Sequence, residues 1–148
     1  MKRRVTNEMS TRLLAVTENE SLARSIVSAF CTQKNPTLEE LGDMRCAVSE
    51  AVTNCIVHAY RGREGKNYIY IKLTSFDDGS VSVQIRDKGC GIADVTEATK
   101  AFYTTDTSGD RSGMGFSIMS SFTDEMRVRS KLGAGTSVTL VKKLSSNG

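Results

Sequence analysis

Three polar residues in one segment of the chain are spaced for chemistry on a single helix face. Glu50, Asn54 and His58 follow one another at intervals of four, and residues four apart lie along the same face of an α-helix. A carboxylate can take a proton from a hydroxyl nucleophile, and an amide oxygen suits Mg²⁺. Glu50 is therefore a candidate general base and Asn54 a candidate metal ligand, although a solvent-facing polar edge has the same spacing.

A second candidate site has the pattern Asp-x-Gly-x-Gly. Asp87 directly follows a strand-like segment, and Gly89 and Gly91 come after it at intervals of two. A carboxylate at a strand end can accept a hydrogen bond from an adenine amino group, and glycines let the backbone approach a base or a phosphate closely. An ordinary turn from a strand into a loop is the alternative interpretation.

A third candidate site is a glycine pair that we expect directly before a helix. Ser112, Gly113, Met114 and Gly115 would expose backbone N–H groups at the positive end of the helix dipole, which is a phosphate cradle. Arg111 precedes them and is placed to reach a terminal phosphate. No Gly-Lys-Ser/Thr follows, so this is not a Walker A loop, and a flexible loop with a solvated arginine is the alternative.

The elements that must position these residues combine strand and helix signals. Alternating or β-branched segments predict strands over 9–16, 68–74, 81–85, 126–130 and 136–141. Apolar stripes predict helices over 19–33, 37–60 and 116–122, and the second of these begins at a capping box of Thr37 and Glu40. The fold expected is α+β, a two-layer α/β sandwich with a mixed, mostly antiparallel sheet and helices on one face.

Length and composition indicate one cytoplasmic domain. The 148 residues, 39% hydrophobic and 25% charged, suit a single core. A net charge of +3 gives no strong case for nucleic acid, and no apolar run nears the roughly 20 residues of a membrane helix. We therefore expect no direct contact with nucleic acid or membrane. The four cysteines lack C-x-x-C spacing, so we expect free, mostly buried thiols and no transition-metal site.

The motifs occur in an order that resembles the ATPase superfamily of gyrase, Hsp90, histidine kinases and MutL. Within that superfamily the chain is similar to the small bacterial anti-sigma factor serine kinases, in particular to the sporulation type. The similarity lies in residues 19–24, 49–54, 85–92 and 111–116 and extends over nearly the whole chain.

The resemblance implies a Bergerat-type fold, with residues 1–148 as one histidine-kinase-like ATPase domain and residues 94–112 as a lid over ATP. It implies that Glu50 is the general base, Asn54 binds Mg²⁺, Asp87 reads adenine and Arg111 contacts the γ-phosphate. The other residues implied in the nucleotide pocket are Gly89, Gly91, Ser112, Gly113, Met114, Gly115 and Thr136, the last through water.

The resemblance also implies partners. Arg24 would contact both a sigma factor of the sigma F type and an anti-anti-sigma factor, which would be phosphorylated on serine, and the chain would form a homodimer. Three alternatives remain open. They are a histidine kinase core, a sigma-binding module without kinase activity, and a stress-response kinase with another sigma partner. His58 is expected to be a structural, hydrogen-bonded residue.

Overall fold

The computed structural model describes residues 3–92 and 112–145, and its strands form one five-stranded sheet. The strands are β1 (Val5–Leu14), β2 (Tyr68–Phe76), β3 (Ser80–Arg86), β4 (Glu125–Lys131) and β5 (Gly135–Lys143). They lie in the order β1-β2-β3-β5-β4, and each neighbouring pair is antiparallel. The α+β prediction is confirmed, and the sheet is wholly antiparallel in the part of the chain described.

Within the described residues, three α-helices pack on one face of this sheet: α1 (Glu18–Thr32), α2 (Leu38–Asn54) and α3 (Ser112–Ser121). The capping box predicted for α2 is present. The Thr37 side chain accepts a hydrogen bond from the Glu40 backbone N–H at 3.1 Å, and the Glu40 carboxylate accepts one from the Thr37 N–H at 2.9 Å. Two backbone donors at the start of α2 are thus satisfied, which fixes where the helix begins.

The core lies between the helices and one side of the sheet. In β2 and β3 alternate side chains are buried, as the period of two predicts. The helices contribute their apolar stripes to the same cluster. Its largest fully buried members are Val27, Met44, Val48, Val52, Ile69, Ile71, Leu73, Val81, Val83, Ile85, Met119 and Leu140.

Three element boundaries differ from the sequence prediction by four residues or more. Strand β1 begins at Val5, because its pairing with β2 continues to Val5 opposite Phe76 although this stretch is exposed on both faces. Helix α2 gives way at Asn54 to a π-helical turn, Cys55–Ala59. Helix α3 begins at Ser112 and not after the glycine pair, so that pair lies in its first turn.

Within the described residues, no helix is both long enough and apolar enough to cross a membrane.

The capping box yields a stability prediction. Thr37→Ala should lower the free energy of unfolding by about 1 kcal/mol, because the Glu40 N–H loses its acceptor. Urea denaturation measures the change. Thr32→Ala is the matched control, since the Thr32 hydroxyl only bonds back to the Ser28 carbonyl in an exposed last turn. Equal losses in the two variants would contradict this account.

Candidate nucleotide-binding site

The carboxylate of Asp87 is buried where four segments of the chain meet. Its Oδ1 accepts hydrogen bonds from the backbone N–H of Gly89 at 2.9 Å and of Thr136 at 3.2 Å. Its Oδ2 lies 3.6 Å from the thiol sulfur of Cys55. Only 6% of Asp87 is exposed, so this single side chain joins the end of β3, the loop that follows, the start of β5 and the end of α2.

The loop after Asp87 can be packed this tightly only because it contains glycines. A Cβ atom at Gly89 would lie 2.1 Å from the Ala59 carbonyl oxygen, and one at Gly91 would lie 2.2 Å from the Lys131 carbonyl oxygen. Gly91 also has a φ of +75°, which side chains rarely adopt. These approaches are to the protein's own backbone, and the predicted role of both glycines in the nucleotide pocket stays a prediction.

Strand β5 supplies the opposite wall through Gly135 and Thr136. Gly135 has a φ of +111°, and a Cβ there would lie 2.2 Å from the Asp87 carbonyl oxygen. The Asp87 N–H donates to the Thr136 carbonyl at 2.9 Å, and the Thr136 hydroxyl lies 2.8 Å from the Ser130 hydroxyl. Thr136 is therefore held beside the Asp87 carboxylate by backbone and side chain alike.

Glu50 and Asn54 face the first turn of α3. Both are half-buried on α2, and the point where Gly115 would carry a Cβ lies 3.3 Å from Glu50 Oε2 and 3.7 Å from Asn54 Oδ1. A larger residue at 115 would project into the space between these two oxygens. Gly115 thus faces Glu50 and Asn54 of α2 from inside α3, and not from the loop before α3.

The two groups of residues are joined by consecutive positions of one helix. Asn54 contacts the Gly115 side of the site, and Cys55, the next residue, contacts Asp87. Glu50 and Asn54, both half-buried, are thus linked through Cys55 to the segment that carries Asp87. The Ala59 carbonyl in the π-helical turn accepts a hydrogen bond from the Cys90 N–H at 2.8 Å, which ties the Asp87 loop to this helix.

The donor atoms near Gly115 fit a magnesium ion. The amide oxygen of Asn54 is a hard ligand of the kind that Mg²⁺ prefers, and a carboxylate oxygen of Glu50 lies beside the same space. In the part of the chain that the structure describes, no group of three or more His, Cys, Asp or Glu side chains could hold a metal. A Mg²⁺ ion here would therefore take its other ligands from phosphate and water.

The thiol of Cys55 is a site component that the sequence analysis did not identify. Burial raises its pKa well above the usual value, and the negative charge of Asp87 adds to the effect. The thiol therefore stays protonated and can donate its hydrogen to the carboxylate. The expectation of mostly buried thiols is only half right, since Cys31 and Cys55 are buried but Cys46 and Cys90 are exposed.

Tyr60 is a second component of the site that the sequence did not predict, and its hydroxyl supports the loop after Asp87. Its hydroxyl accepts a hydrogen bond from the Lys88 N–H at 2.7 Å and donates one to the Tyr68 carbonyl at 2.5 Å. Burial is the main cause that raises the pKa of this phenol. Arg63 holds the same loop by donating to the Lys88 carbonyl at 2.7 Å. No sequence motif marks Tyr60 or Arg63.

The remaining predicted residues fall into three places. Arg24 lies on α1, where its Nε is 3.0 Å from Glu20 Oε1. His58 contacts an arginine of the same turn, with Nδ1 3.0 Å from Arg61 Nη2, in keeping with a structural role. Ser112, Gly113 and Met114 belong to the first turn of α3. Arg111 and nearly all of the predicted lid, residues 94–112, lie outside the described residues.

Comparison with known proteins agrees with this fold. A family model described as a histidine kinase-like ATPase domain matches residues 13–142. Among solved structures, the RsbU and RsbW domains of a Mycobacterium tuberculosis protein superpose with a TM-score of 0.70 at 20% identity, covering 97% of this chain and 34% of that one. The mycobacterial sensor histidine kinase MprB gives 0.57 at 16% identity, covering 93% and 99%. At such identities the two structures support the fold alone.

Two curated relatives are much more similar in sequence. The chain is 45% identical over 141 residues to the anti-sigma F factor of Priestia megaterium, and 95% of each chain is covered. It is 46% identical over 142 residues to the anti-sigma F factor of Halalkalibacterium halodurans, again with 95% of each covered.

The fold defines the class of protein, a histidine kinase-like ATPase domain. Within that class the sequence relatives are anti-sigma F factors that match over nearly their whole length. The chain belongs to the anti-sigma F factor family, and the resemblance inferred from its motifs is confirmed.

The close approach at Gly89 yields the second prediction. Gly89→Ala should lower the free energy of unfolding by about 2 kcal/mol or more, because its Cβ would overlap the Ala59 carbonyl. Gly42→Ala is the control: no atom lies within 4 Å of a Cβ there, and alanine favours a helix, so stability should rise by about 0.5–1 kcal/mol. Urea denaturation compares them, and a neutral Gly89→Ala would refute the contact.

The four thiols yield the third prediction. Cys46 and Cys90 are exposed and should react rapidly with a disulfide reagent such as DTNB, because the thiolate is the attacking species and requires access. Cys55 and Cys31 should react only on unfolding, since burial raises the pKa of Cys31 to about 12 and that of Cys55 well above its usual value. Absorbance of the released thiolate counts the thiols. A Cys46→Ser/Cys90→Ser variant that still reacts rapidly would contradict the burial of Cys55.

Proposed function

We propose that this chain binds ATP and Mg²⁺, phosphorylates a serine on an anti-anti-sigma factor, and holds a sigma factor of the sigma F type inactive. The observation that carries the proposal is that Glu50 and Asn54 face Gly115 of α3, while Cys55, the residue after Asn54, contacts Asp87. Membership of the anti-sigma F factor family supports the same role. We further propose that the chain acts in the cytoplasm as a homodimer and that residues 1–148 form one domain.

Asp87 would recognise the adenine ring. Two backbone N–H groups hold its Oδ1, which fixes the plane of the carboxylate. Its Oδ2, beside the Cys55 thiol, keeps a second lone pair with which it can accept a hydrogen bond from the exocyclic amino group of adenine. Guanine presents a carbonyl oxygen at that position, so a buried carboxylate would select for adenine. Thr136, held beside Asp87, would support the ring through water.

Asn54 would hold Mg²⁺ through its amide oxygen. When bound, the ion neutralises the charge that accumulates on the phosphate oxygens during transfer. The first turn of α3, with Gly113 and Gly115, would bring backbone N–H groups to the same phosphates. Because Gly115 has no side chain, phosphate oxygens could approach Glu50 and Asn54 without obstruction. Arg111 would contact the γ-phosphate.

Glu50 would act on the incoming nucleophile as the general base. It lies one helical turn before Asn54 and faces the same space beside Gly115. Its carboxylate can orient a serine hydroxyl and take its proton as phosphate is transferred. The chain contains one histidine, His58, which is engaged with Arg61 in the π-helical turn. We therefore propose a serine on a partner as the acceptor, rather than a histidine of this chain.

Arg24 would provide a contact for both partners. It lies on α1, and about one third of its side chain is exposed. Its guanidinium pairs with Glu20, whose carboxylate also lies 2.5 Å from the hydroxyl of Ser49, the residue before Glu50. The surface around Arg24 is thus linked through Glu20 to α2, the helix that carries Glu50. A partner that docks on Arg24 would therefore lie near the proposed general base that acts on its serine.

Two substitutions test the division of roles. Glu50→Gln should lower phosphate transfer to the anti-anti-sigma factor by about a hundredfold or more, because general base catalysis is removed, and it should spare nucleotide binding. Asp87→Asn should weaken ATP binding at least about tenfold, since the amide cannot reproduce the same set of acceptors. Radiolabelled ATP measures transfer, and titration with a fluorescent nucleotide measures binding.

Glu39→Gln is the matched control, because it makes the same change on the exposed first turn of α2. It should leave both quantities within about twofold. Equal loss of binding in Glu50→Gln and Asp87→Asn would reject the division of roles. An unlabelled anti-anti-sigma factor with tight ATP binding would instead identify a sigma-binding module without kinase activity.

A further inference from the structure

The sheet has a second face on which no described helix packs. Because side chains alternate along a strand, the residues between the buried positions of β2 and β3 all point to this face. They are half-buried or exposed, whereas their neighbours Ile71, Leu73 and Val83 are buried. We call it the open face. The nucleotide site described above does not use it.

The strand register places cations together on the open face. Arg12 lies opposite Tyr70, Tyr70 opposite Arg86, Arg86 opposite Ser137, and Ser137 opposite Arg129. Opposed residues of antiparallel strands point to the same side. The neighbouring row is Ser10, Lys72, Gln84, Thr139 and Arg127. The two rows together hold five cations and no carboxylate.

The cations are partly stacked on tyrosine rings. The Arg12 guanidinium lies 4.5 Å from the Tyr68 ring centre, and the Arg86 guanidinium lies 5.2 Å from that of Tyr70. The Lys88 ammonium lies 4.9 Å from the same Tyr70 ring. Such contacts fix the position of a cation without neutralising its charge. The charges are therefore held in place at the surface and remain available to a partner.

A shallow depression lies among these residues. Its volume is about 530 Å³, and it is lined by Ser10, Thr11, Arg12, Tyr70, Ile71, Lys72, Gln84 and Arg86. Among the described residues, no carboxylate forms an ion pair with Arg12, Lys72 or Arg86. The row on the other side of Lys72 carries Glu8 and Glu125, and Glu125 is paired with Arg127 at 2.8 Å.

We propose that the open face is a docking surface for an acidic protein segment. Arg12, Lys72 and Arg86 are exposed and form no ion pair within the described residues, so this surface complements a carboxylate-rich chain. Charge complementarity of this kind sets which partner is bound. A nucleic acid is less suited, because the two tyrosine rings that would stack on bases are covered by cations. A second copy of the open face is disfavoured as well, since like charges would oppose one another.

Fluorescence anisotropy tests the proposal. The probe is a labelled peptide of alternating glutamate and serine, about eight residues long, which when extended spans roughly five strands. The full chain should bind it, and Arg12→Glu and Lys72→Glu should each weaken binding by about fivefold. Arg45→Glu is the matched control: it makes the same charge change on the exposed side of α2 and should stay within about twofold.

Circular dichroism and the affinity for ATP report whether each variant is folded. If Arg12→Glu does not fold, the peptide affinity of Lys72→Glu tests the proposal. Equal weakening by all three substitutions would show non-specific attraction and overturn the proposal. Tighter binding of an oligothymidylate of equal charge, lost in Lys72→Glu, would reassign the face to nucleic acid. A dimer in sedimentation that dissociates in Lys72→Glu would reassign it to a second copy. None of these outcomes bears on the proposed kinase activity.

Discussion

The buried carboxylate of Asp87 is the interaction on which the rest of the site depends. A buried charge is stable only when hydrogen bonds replace the water it has lost, and this one receives backbone N–H groups from Gly89 and Thr136 and faces the thiol of Cys55. These donors come from three segments far apart in sequence. Satisfying one carboxylate therefore fixes the loop, the start of β5 and the end of α2 relative to one another, and it is beside this carboxylate that we propose the adenine ring.

Helix α2 carries the second half of the arrangement. Its apolar stripe is buried in the core, so Glu50 and Asn54 on the adjacent face are held in a fixed orientation toward α3. The change to π-helical geometry after Asn54 alters the direction of the next carbonyl groups, and that of Ala59 becomes the acceptor for the loop after Asp87. π-helical turns of this kind often occur at functional sites. Glycines at 89, 91 and 135 are required because backbone meets backbone there, with no space for a side chain.

Local patterns were sufficient for much of the fold. The capping box at Thr37 and the alternation in β2 and β3 predicted those elements, since both signals depend on near neighbours in sequence. The start of β1 was missed because Val5 lies in a stretch exposed on both faces, with no alternation to read. The start of α3 was predicted too late, because Gly113 and Gly115 can lie either in a loop before a helix or in the first turn of the helix itself. The contact of Cys55 with Asp87 joins residues 32 positions apart and follows from tertiary packing alone.

A crystal structure of the chain with Mg²⁺ and a non-hydrolysable ATP analogue tests the central claim most directly. The account predicts that the exocyclic amino group of adenine lies within hydrogen-bonding distance of the Asp87 carboxylate. It also predicts that Mg²⁺ is bound by the Asn54 amide oxygen, with Glu50 beside the γ-phosphate. A base bound away from Asp87, or phosphates on the side of α2 opposite Asn54, would contradict it.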